Sequence, residues 1–500
     1  KSVDDVSYVD EESAVETTSG VRCLRAMRSN GERIKTQRFV KEGTEAATGA
    51  KAAGIQPLLG AAQSHLLCRS DSLLIIQALF KKLNLRVRLK RCFQHIQNSK
   101  VIGFSVTTIL LIVHSMLGYR RLREMERYKE DPIVLRTLGL SRLPDVSTVT
   151  RRLSEVDKES IEKVREMNRD IVLAPLTAML VSRLTMDFDG SVLSTGKFAE
   201  GTAVGFNKQK KGQRSYYPLF CTIAQTGQVL DMYHRPGNVH DSNGAEDFIL
   251  RRIQDVRSVL PRAQLEARLD SAFFSDTHVD MLDTEDVEFT ISVPFERFTE
   301  LKDMVEKRKR WRPLDGKWSY FETRWSPKCW GEDFRFIFIR QKVKKQNKEP
   351  VQLDLFIPHE SGYEFKVIVT NKKKSTRNVL LFHNGRGAQE NIFGELKSQC
   401  QMDYIPVRGL AGNQLYLMSA VLSHNLLRSL QMERTQPQKR TTEKRSPLWI
   451  FQEANTIRLH ILHRAGRLTR PGGKLRLTMS GNERTKKTFL DYLAALGAAA

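Results

Sequence analysis

Four acidic residues lie at positions where they could bind metal ions together. In the stretch LTMDFDGSV, Asp187 and Asp189 alternate with apolar residues, so both carboxylates point to one face of a predicted strand, about 7 Å apart. Asp270 ends a second alternating stretch, QLEARLD, and Glu390 lies in a late helical stretch. Because neighbouring carboxylates repel one another, such a group is stable only with a cation close by. One strand acid, Asp189 or Asp187, together with Asp270 and Glu390, therefore predicts a metal site.

A site of this kind would suit phosphodiester chemistry. Three acids brought together by a mixed sheet can hold two divalent cations about 4 Å apart, an arrangement that supports in-line attack on a phosphodiester. One ion activates a water or a sugar 3′-hydroxyl, and the other stabilises the leaving oxygen. Since oxygen ligands suit hard cations, we expect Mg²⁺, with Mn²⁺ as the alternative.

The late helical stretch, FHNGRGAQENIFGELK, gathers charged groups on one face. At roughly 100° per residue, His383, Arg386 and Lys397 fall in a narrow arc around Glu390, and apolar residues lie opposite. A carboxylate flanked by cations suits a metal ion beside a polyanion. The alternative for this stretch alone is an ordinary solvated helix face.

Two glycines limit where this helix can begin. Gly385 and Gly387 each disfavour helix by about 1 kcal/mol relative to Ala. We therefore expect the helix to begin near Gly387, with His383 and Arg386 in the segment that leads into it.

The charge balance indicates a polyanionic partner. Among 500 residues, 81 Lys and Arg face 57 Asp and Glu, which gives a net charge of +24. Nucleic acid is the commonest partner of such a chain, and a basic protein without this role is the alternative. The six cysteines form no CxxC pair, which excludes a zinc ribbon of that pattern and favours a reducing cytosol. The chain begins at Lys1 without Met or an apolar signal segment, which is typical of a fragment or an incomplete reading frame.

Periodicity predicts an α/β fold with a mixed sheet. Residues 101–117 are the one stretch that raises a membrane question, and a buried core helix is the favoured interpretation. The four tryptophans of a strand-rich segment are expected to be core and not base-stacking residues. The expected regions are a mobile low-complexity tail (1–70), a helical DNA-binding region (71–175), the first part of a catalytic core (176–297), a β-rich insertion (298–376), the second part of the core (377–432) and a basic C-terminal tail (433–500).

From about residue 70 to residue 480, the sequence resembles a DDE transposase with a ribonuclease-H-like core. It is most similar to the insertion-sequence-thirteen-eighty family, a relative of the insertion-sequence-four group. Similar segments are DFDGS, YYPLF, RPGN, RLDSAFFS and GNQLYL followed by SHNLL. The late signature of the wider group is Tyr, two residues, Arg, three residues, Glu, six residues, Lys. The matching residues here are His383, Arg386, Glu390 and Lys397.

The resemblance implies roles for individual residues. Asp189, Asp270 and Glu390 would bind the catalytic metals, and Arg386 and Lys397 would hold phosphates at the transposon end. Asp189 is preferred over Asp187 because the family pattern has Ser or Thr two positions after the catalytic Asp, which is Ser191 here.

The departure from the signature is His383 in place of Tyr. An imidazole can still donate to a phosphate, but its charge depends on pH.

The expected activity is cut-and-paste transposition. The partners would be double-stranded DNA, as terminal inverted repeats and as target, and a second copy of the chain on that DNA. No membrane partner is expected, and the expected location is the bacterial cytoplasm, associated with the nucleoid. The alternatives are a ribonuclease-H-like nuclease without strand transfer and a DNA-binding protein without catalytic activity.

Overall fold

The structure describes most of the chain from Leu73 onward. The computed structural model describes residues 66–68, 73–97, 102–179, 181–195, 198–205, 207, 210–239, 243–328, 330–342, 363–437, 448–464, 466–469, 476–479 and 482–497. The predicted tail, residues 1–70, lies outside these ranges except for residues 66–68.

A bundle of helices precedes the sheet. Its central member, α3 (Phe104–Met116), is apolar around its whole circumference and is buried along almost its whole length, as expected for a helix that packs on all sides. It corresponds to the stretch that raised a membrane question, and no helix within the described ranges is long and apolar enough to cross a membrane. The helices are α1 (Leu73–Lys82), α2 (Leu85–Cys92), α3 (Phe104–Met116), α4 (Pro132–Leu138), α5 (Val146–Ser154) and α6 (Lys158–Ala178).

Five strands form the centre of a mixed sheet. Strand β1 (Leu66–Cys68) belongs to a separate small sheet. The central strands lie in the order β7, β6, β2, β8, β9. Strand β2 is parallel to β8, β8 is parallel to β9, and β6 is antiparallel to both β2 and β7. This order and these directions confirm the ribonuclease-H-like α/β fold. The strands are β2 (Arg183–Gly190), β6 (Leu219–Ile223), β7 (Gln228–Tyr233), β8 (Gln264–Leu269) and β9 (Glu288–Val293).

A small three-stranded sheet fills the connection from β2 to β6. It comprises β3 (Leu193–Ser194), β4 (Ala203–Val204) and β5 (Arg214–Tyr216), with β5 in the middle. The loop after β7 packs tightly on it. A Cβ at Gly237 would lie 2.3 Å from Ser215 Oγ, and one at Gly205 would lie 2.1 Å from the Gly237 carbonyl oxygen. Only glycine fits at either position.

Two helices connect central strands along the chain. They are α7 (Ala245–Val259), which follows β7, and α8 (Asp276–Thr284), which follows β8. Both bury apolar side chains in the same core cluster as the strands.

The β-rich segment extends the core sheet to nine strands. After the short helix α9 (Thr299–Glu306), β13 pairs antiparallel with β9, and β12, β11 and β10 follow outward. The tryptophans pack among aromatic side chains, with ring centroids 5.0 Å apart for Trp325–Phe336 and for Trp330–Phe274. All four tryptophans of this segment are half-buried and pack against the core clusters without being enclosed by them. The strands are β10 (Arg312–Pro313), β11 (Trp318–Trp325), β12 (Phe334–Lys342) and β13 (Tyr363–Thr370).

The chain after β13 is mainly helical. Helix α12 is buried over most of its length and packs against α3. The described parts of residues 433–500, where the sequence led us to expect a tail, contact the helical bundle, for example through Lys82 Nζ, which donates to the Ala495 carbonyl oxygen at 3.3 Å. The elements are α10 (Thr376–Asn384), α11 (Gly387–Ser398), α12 (Leu410–Arg434), α13 (Ala454–Ile457), a π-helical turn (Arg458–Leu462), β14 (Gly466–Thr469), β15 (Arg476–Met479) and α14 (Glu483–Ala495).

Candidate active site

Asp189 and Asp270 lie at the same edge of the sheet. Strands β2 and β8 are parallel, and their register pairs Asp187 with Arg268. Asp189 lies two residues beyond this pair on β2, and Asp270 directly follows Leu269, the last residue of β8, so a continuation of the register would set the two acids side by side. Neighbouring strands are about 4.8 Å apart, so the two acids are close neighbours at the carboxyl ends of β2 and β8.

Both acids are held by local hydrogen bonds. The Gly190 N–H donates to Asp189 Oδ1 at 2.8 Å, and the Ala272 N–H donates to Asp270 Oδ1 at 2.9 Å. Each carboxylate therefore has a defined orientation at the end of its strand.

Helix α11 begins over this edge. Gln389 Nε2 donates to the carbonyl oxygen of Asp187 at 3.0 Å, and the Phe393 ring lies 5.0 Å from that of Phe220 on β6. Glu390 follows Gln389 in the first turn of α11 and is exposed. The positive end of the helix dipole stabilises a carboxylate at this position. The helix begins at Gly387, as the two glycines predicted.

Arg386 occupies the junction between α10 and α11. Its Nη1 donates to Asp189 Oδ2 at 2.8 Å, and both side chains are partly buried. A guanidinium thus balances the charge of Asp189, in the role that a metal ion was predicted to have.

Asp187 is a structural residue and not an alternative to Asp189. It is 2% exposed and accepts from both Nε and Nη2 of Arg268, the latter at 2.6 Å. The third donor of Arg268, Nη1, bonds the Phe382 carbonyl oxygen at 3.0 Å. A Cβ at Gly385 would lie 2.1 Å from this Nη1. Asp187 and Arg268 therefore fix the end of α10 on the sheet, and both carboxylate oxygens of Asp187 are used within the protein.

His383 is also structural, which corrects the expectation that it contacts a phosphate. It lies in α10 and not in a loop, and it is buried. Its Nδ1 lies 3.0 Å from Thr290 Oγ1 and its Nε2 lies 2.9 Å from Ser292 Oγ. Burial, with smaller contributions from nearby cations, holds the pKa of His383 well below its usual range. The neutral ring joins α10 to β9 and has both nitrogens engaged within the protein.

Two lysines add positive charge near the edge. Burial lowers the pKa of Lys397 on α11, and the nearby Asp403 and Asp189 oppose that shift. Burial and the charge of Arg386 lower the pKa of Lys366 on β13 to about 8, and its Nζ donates to Asn384 Oδ1 at 3.1 Å. Sequence reasoning missed Lys366. The available signal was a charged residue on the strand face that also carries Ile368.

The donor set consists of carboxylate oxygens, which suit a hard divalent cation. Within the described ranges, however, no group of three or more His, Cys, Asp and Glu side chains is placed to hold a metal ion. The structure brings Asp189 and Asp270 to one edge beside the first turn of α11, with Arg386 between strand and helix. The shared metal site of Asp189, Asp270 and Glu390 stays a prediction.

The sheet order places the chain in the ribonuclease-H-like class, with the acids at the ends of β2 and β8, the first and fourth of the central strands in chain order. Residues 68–500 match the family model described as Transposase DDE domain group 1, and the chain belongs to this family.

Two of the solved structures with detectable similarity to this chain are transposase complexes. A cryo-EM synaptic complex of piggyBac transposase with hairpin DNA is 10% identical, with 76% of this chain and 80% of that chain covered and a TM-score of 0.36. The Mos1 paired-end complex with the left transposon end is 13% identical, with 39% and 60% covered and a TM-score of 0.16. No curated protein matches the sequence.

Proposed function

We propose that this protein is a DNA transposase that binds the terminal inverted repeats of a mobile element and catalyses their cleavage and strand transfer, by cut and paste. The observation that carries the proposal is the position of Asp189 and Asp270 at the ends of neighbouring parallel strands, beside the helix turn that bears Glu390. Membership of the DDE transposase family supports it.

Asp189, Asp270 and Glu390 are the proposed metal ligands. Bound Mg²⁺ or Mn²⁺ would supply the positive charge that lowers the pKa of an attacking hydroxyl and stabilises the leaving oxygen. The hydrogen bonds from the Gly190 and Ala272 N–H groups keep the two aspartates oriented for that role.

Arg386 and Lys397 are the proposed phosphate contacts. The planar guanidinium of Arg386 suits bidentate recognition of a phosphate, and its position beside Asp189 would bring the scissile phosphate to the acids. A phosphate would therefore compete with Asp189 for the same cation.

The remaining partners follow from charge and from the geometry of transposition. The net charge of +24 favours binding to duplex DNA, and pairing two transposon ends suits a homodimer on DNA. Assignment to the insertion-sequence-thirteen-eighty family and a location at the bacterial nucleoid belong to the same proposal.

The test is cleavage of an inverted-repeat duplex by the full chain with Mg²⁺. We expect nicked ends and joined products for the wild type and neither for Asp270→Asn, which keeps the oxygen that accepts from Ala272. The matched control is Asp280→Asn, an exposed residue of α8, which should cleave like the wild type. Equal cleavage by Asp270→Asn would refute the assigned site, and cleavage without joined products would favour a nuclease.

A second candidate function is DNA binding without catalytic activity. The observation that favours it is the bond from Arg386 to Asp189, which engages a carboxylate that a metal ion would need. It would be supported if the protein binds the inverted repeats but does not cleave them in the presence of any divalent ion.

A further inference from the structure

A carboxylate is buried on the helix that bears Glu390. Glu395 lies five residues after Glu390 in α11 and is 6% exposed. At roughly 100° per residue, the two side chains point about 140° apart, so Glu390 is exposed while Glu395 faces the protein interior. A buried charge is costly unless it is paired and hydrogen-bonded. The partners of Glu395 therefore take part in placing α11.

Two other helices provide these partners. Arg428 Nη2 on α12 donates to Glu395 Oε2 at 2.6 Å, and the Ala454 N–H at the start of α13 donates to Oε1 at 2.9 Å. Arg428 is buried as well, so each side chain of this ion pair is the counter-ion of a buried charge. We call Glu395, Arg428 and the Ala454 N–H the Glu395 anchor.

A histidine beside the Glu395 anchor is neutral at pH 7. His424 Nδ1 lies 3.7 Å from Glu395 Oε1, and its Nε2 lies 2.9 Å from the Gly227 carbonyl oxygen. Burial lowers the pKa of His424 to about 4. The charge of Glu395 is therefore balanced by Arg428 and not by His424.

The same C-terminal stretch holds the end of α11. Gln399 directly follows this helix, and its Nε2 donates to Glu453 Oε2 at 2.7 Å. Arg458 bonds the Gln399 carbonyl oxygen, and its Nε donates to the Met116 carbonyl oxygen at 2.7 Å. Residues 453–458 thus connect the second half of α11 to α3.

The first turn of α11 needs this support when DNA binds. Gln389 ties the turn to the backbone of β2, and Arg386 ties it to Asp189. A phosphate on Arg386 would break the second bond in the proposed DNA complex. The position of Glu390 then depends on Gln389 and on the Glu395 anchor. Such placement matters because a shift of about 1 Å in a reacting group can cost about 100-fold in rate.

We propose that the Glu395 anchor positions Glu390 for metal binding, so that residues 453–458 hold α11 in place over the acid-bearing strands. Glu395 is a positioning residue, since it would act through the helix and not by touching DNA or metal. The inference rests on the proposed function, in which Glu390 is a metal ligand. It makes the stretch after α12, where the sequence led us to expect a tail, a working part of the catalytic core.

Two variants of the full chain remove different parts of the anchor. Glu395→Gln keeps the shape of the side chain and removes the charge that balances Arg428. Ala454→Pro removes the N–H that donates to Glu395, at the first position of α13, where proline is well accepted in helices. Both charges of the ion pair stay in this second variant, so it tests the anchor even if Glu395→Gln fails to fold.

The measurements separate positioning from stability. In DNA-free protein, hydrogen exchange of the α11 amides should rise by about 10-fold or more in both variants, as for loss of a hydrogen bond to a charged group. Mn²⁺ binding, followed by electron paramagnetic resonance, and cleavage of a saturating inverted-repeat duplex should each fall by about 10- to 100-fold, the range for lost support of metal ligands. Affinity for the same duplex in EDTA should change by less than about twofold, because contacts with many phosphates share it.

The matched control is Glu433→Gln, which breaks an ion pair of α12 with Lys82 on α1 and should leave every measurement at its wild-type value. Wild-type exchange of α11 in both anchor variants would overturn the inference, and so would wild-type Mn²⁺ binding and cleavage in variants that lose stability in urea. A wild type that neither binds Mn²⁺ nor cleaves, but whose α11 exchange depends on the anchor, would refute the proposed function and keep the anchor.

Discussion

Arg386 Nη1 and Asp189 Oδ2 are 2.8 Å apart, and this ion pair joins the start of α11 to the end of β2. A metal ion and the guanidinium of Arg386 would compete for Asp189, because both need the same carboxylate. A phosphate that binds Arg386 would release Asp189. The contact therefore couples DNA binding to metal binding in the proposed site.

Replacing Arg386 should change metal and DNA affinity in opposite directions. In DNA-free protein, Arg386→Gln should bind Mn²⁺ more tightly, by about three- to tenfold, since a partly exposed ion pair is worth about 1 kcal/mol. The same variant should bind duplex DNA more weakly. Electron paramagnetic resonance of free Mn²⁺ and a DNA titration measure the two effects. Arg386→Lys, which keeps the charge, is the control, and weaker Mn²⁺ binding by Arg386→Gln would contradict the coupling.

Asp187 and Asp189 should be separable by stability. Asp187→Asn leaves the buried charge of Arg268 without its counter-ion, and breaking such a pair costs about 3–5 kcal/mol. Asp189→Asn affects a partly exposed pair and should cost less than about 1 kcal/mol. Urea unfolding measures both. Asp189→Asn should nevertheless lose cleavage, and a smaller loss of stability in Asp187→Asn than in Asp189→Asn would contradict the assigned roles.

Gly385 and Gly387 should respond oppositely to alanine. A Cβ at Gly385 meets Arg268 Nη1 at 2.1 Å, whereas one at Gly387 meets nothing within 4 Å. Gly385→Ala should lower the free energy of unfolding by about 1–3 kcal/mol through overpacking. Gly387→Ala should raise it by up to about 1 kcal/mol through helix propensity. Thermal unfolding measures both effects, and each variant serves as the matched control for the other.

His383 should make stability fall in mild acid. Its pKa is held well below the usual value in the folded state, so the unfolded chain binds the proton more readily below about pH 6.5. Its contribution to stability is complete above that pH and is lost as pH falls, by about 1.4 kcal/mol per pH unit. His383→Gln should reduce the loss measured by urea unfolding between pH 7.5 and pH 5.5 by about 1 kcal/mol. An unchanged pH dependence would mean that the ring is not buried and neutral.

The sequence predicted the parts of the site that depend on local pattern. Alternation placed Asp189 and Asp270 at strand ends, and glycine propensity placed the start of α11 at Gly387. It did not predict that Asp187 pairs with Arg268, because the two residues are 81 positions apart and meet only through strand register.

The helical wheel misplaced His383 for a different reason. It treated the stretch as one helix, whereas the chain forms α10 and α11 with a break at Gly385 and Arg386. The break turns His383 towards β9. Likewise, alternation identified strands in the β-rich segment but contained no information on which edge of the sheet they extend.

Strand β13 also determines how much sequence change the site can tolerate. Four register pairs, from Val367–Val293 to Thr370–Thr290, align β13 on β9, and His383 is bonded to two residues of the same β9 stretch. Contacts with β9 therefore fix the position of α10 directly. These contacts do not depend on the length of the chain between β9 and β13. The placement of Glu390 therefore depends on contacts with β9 and not on the length of the loops that join the strands of the β-rich segment.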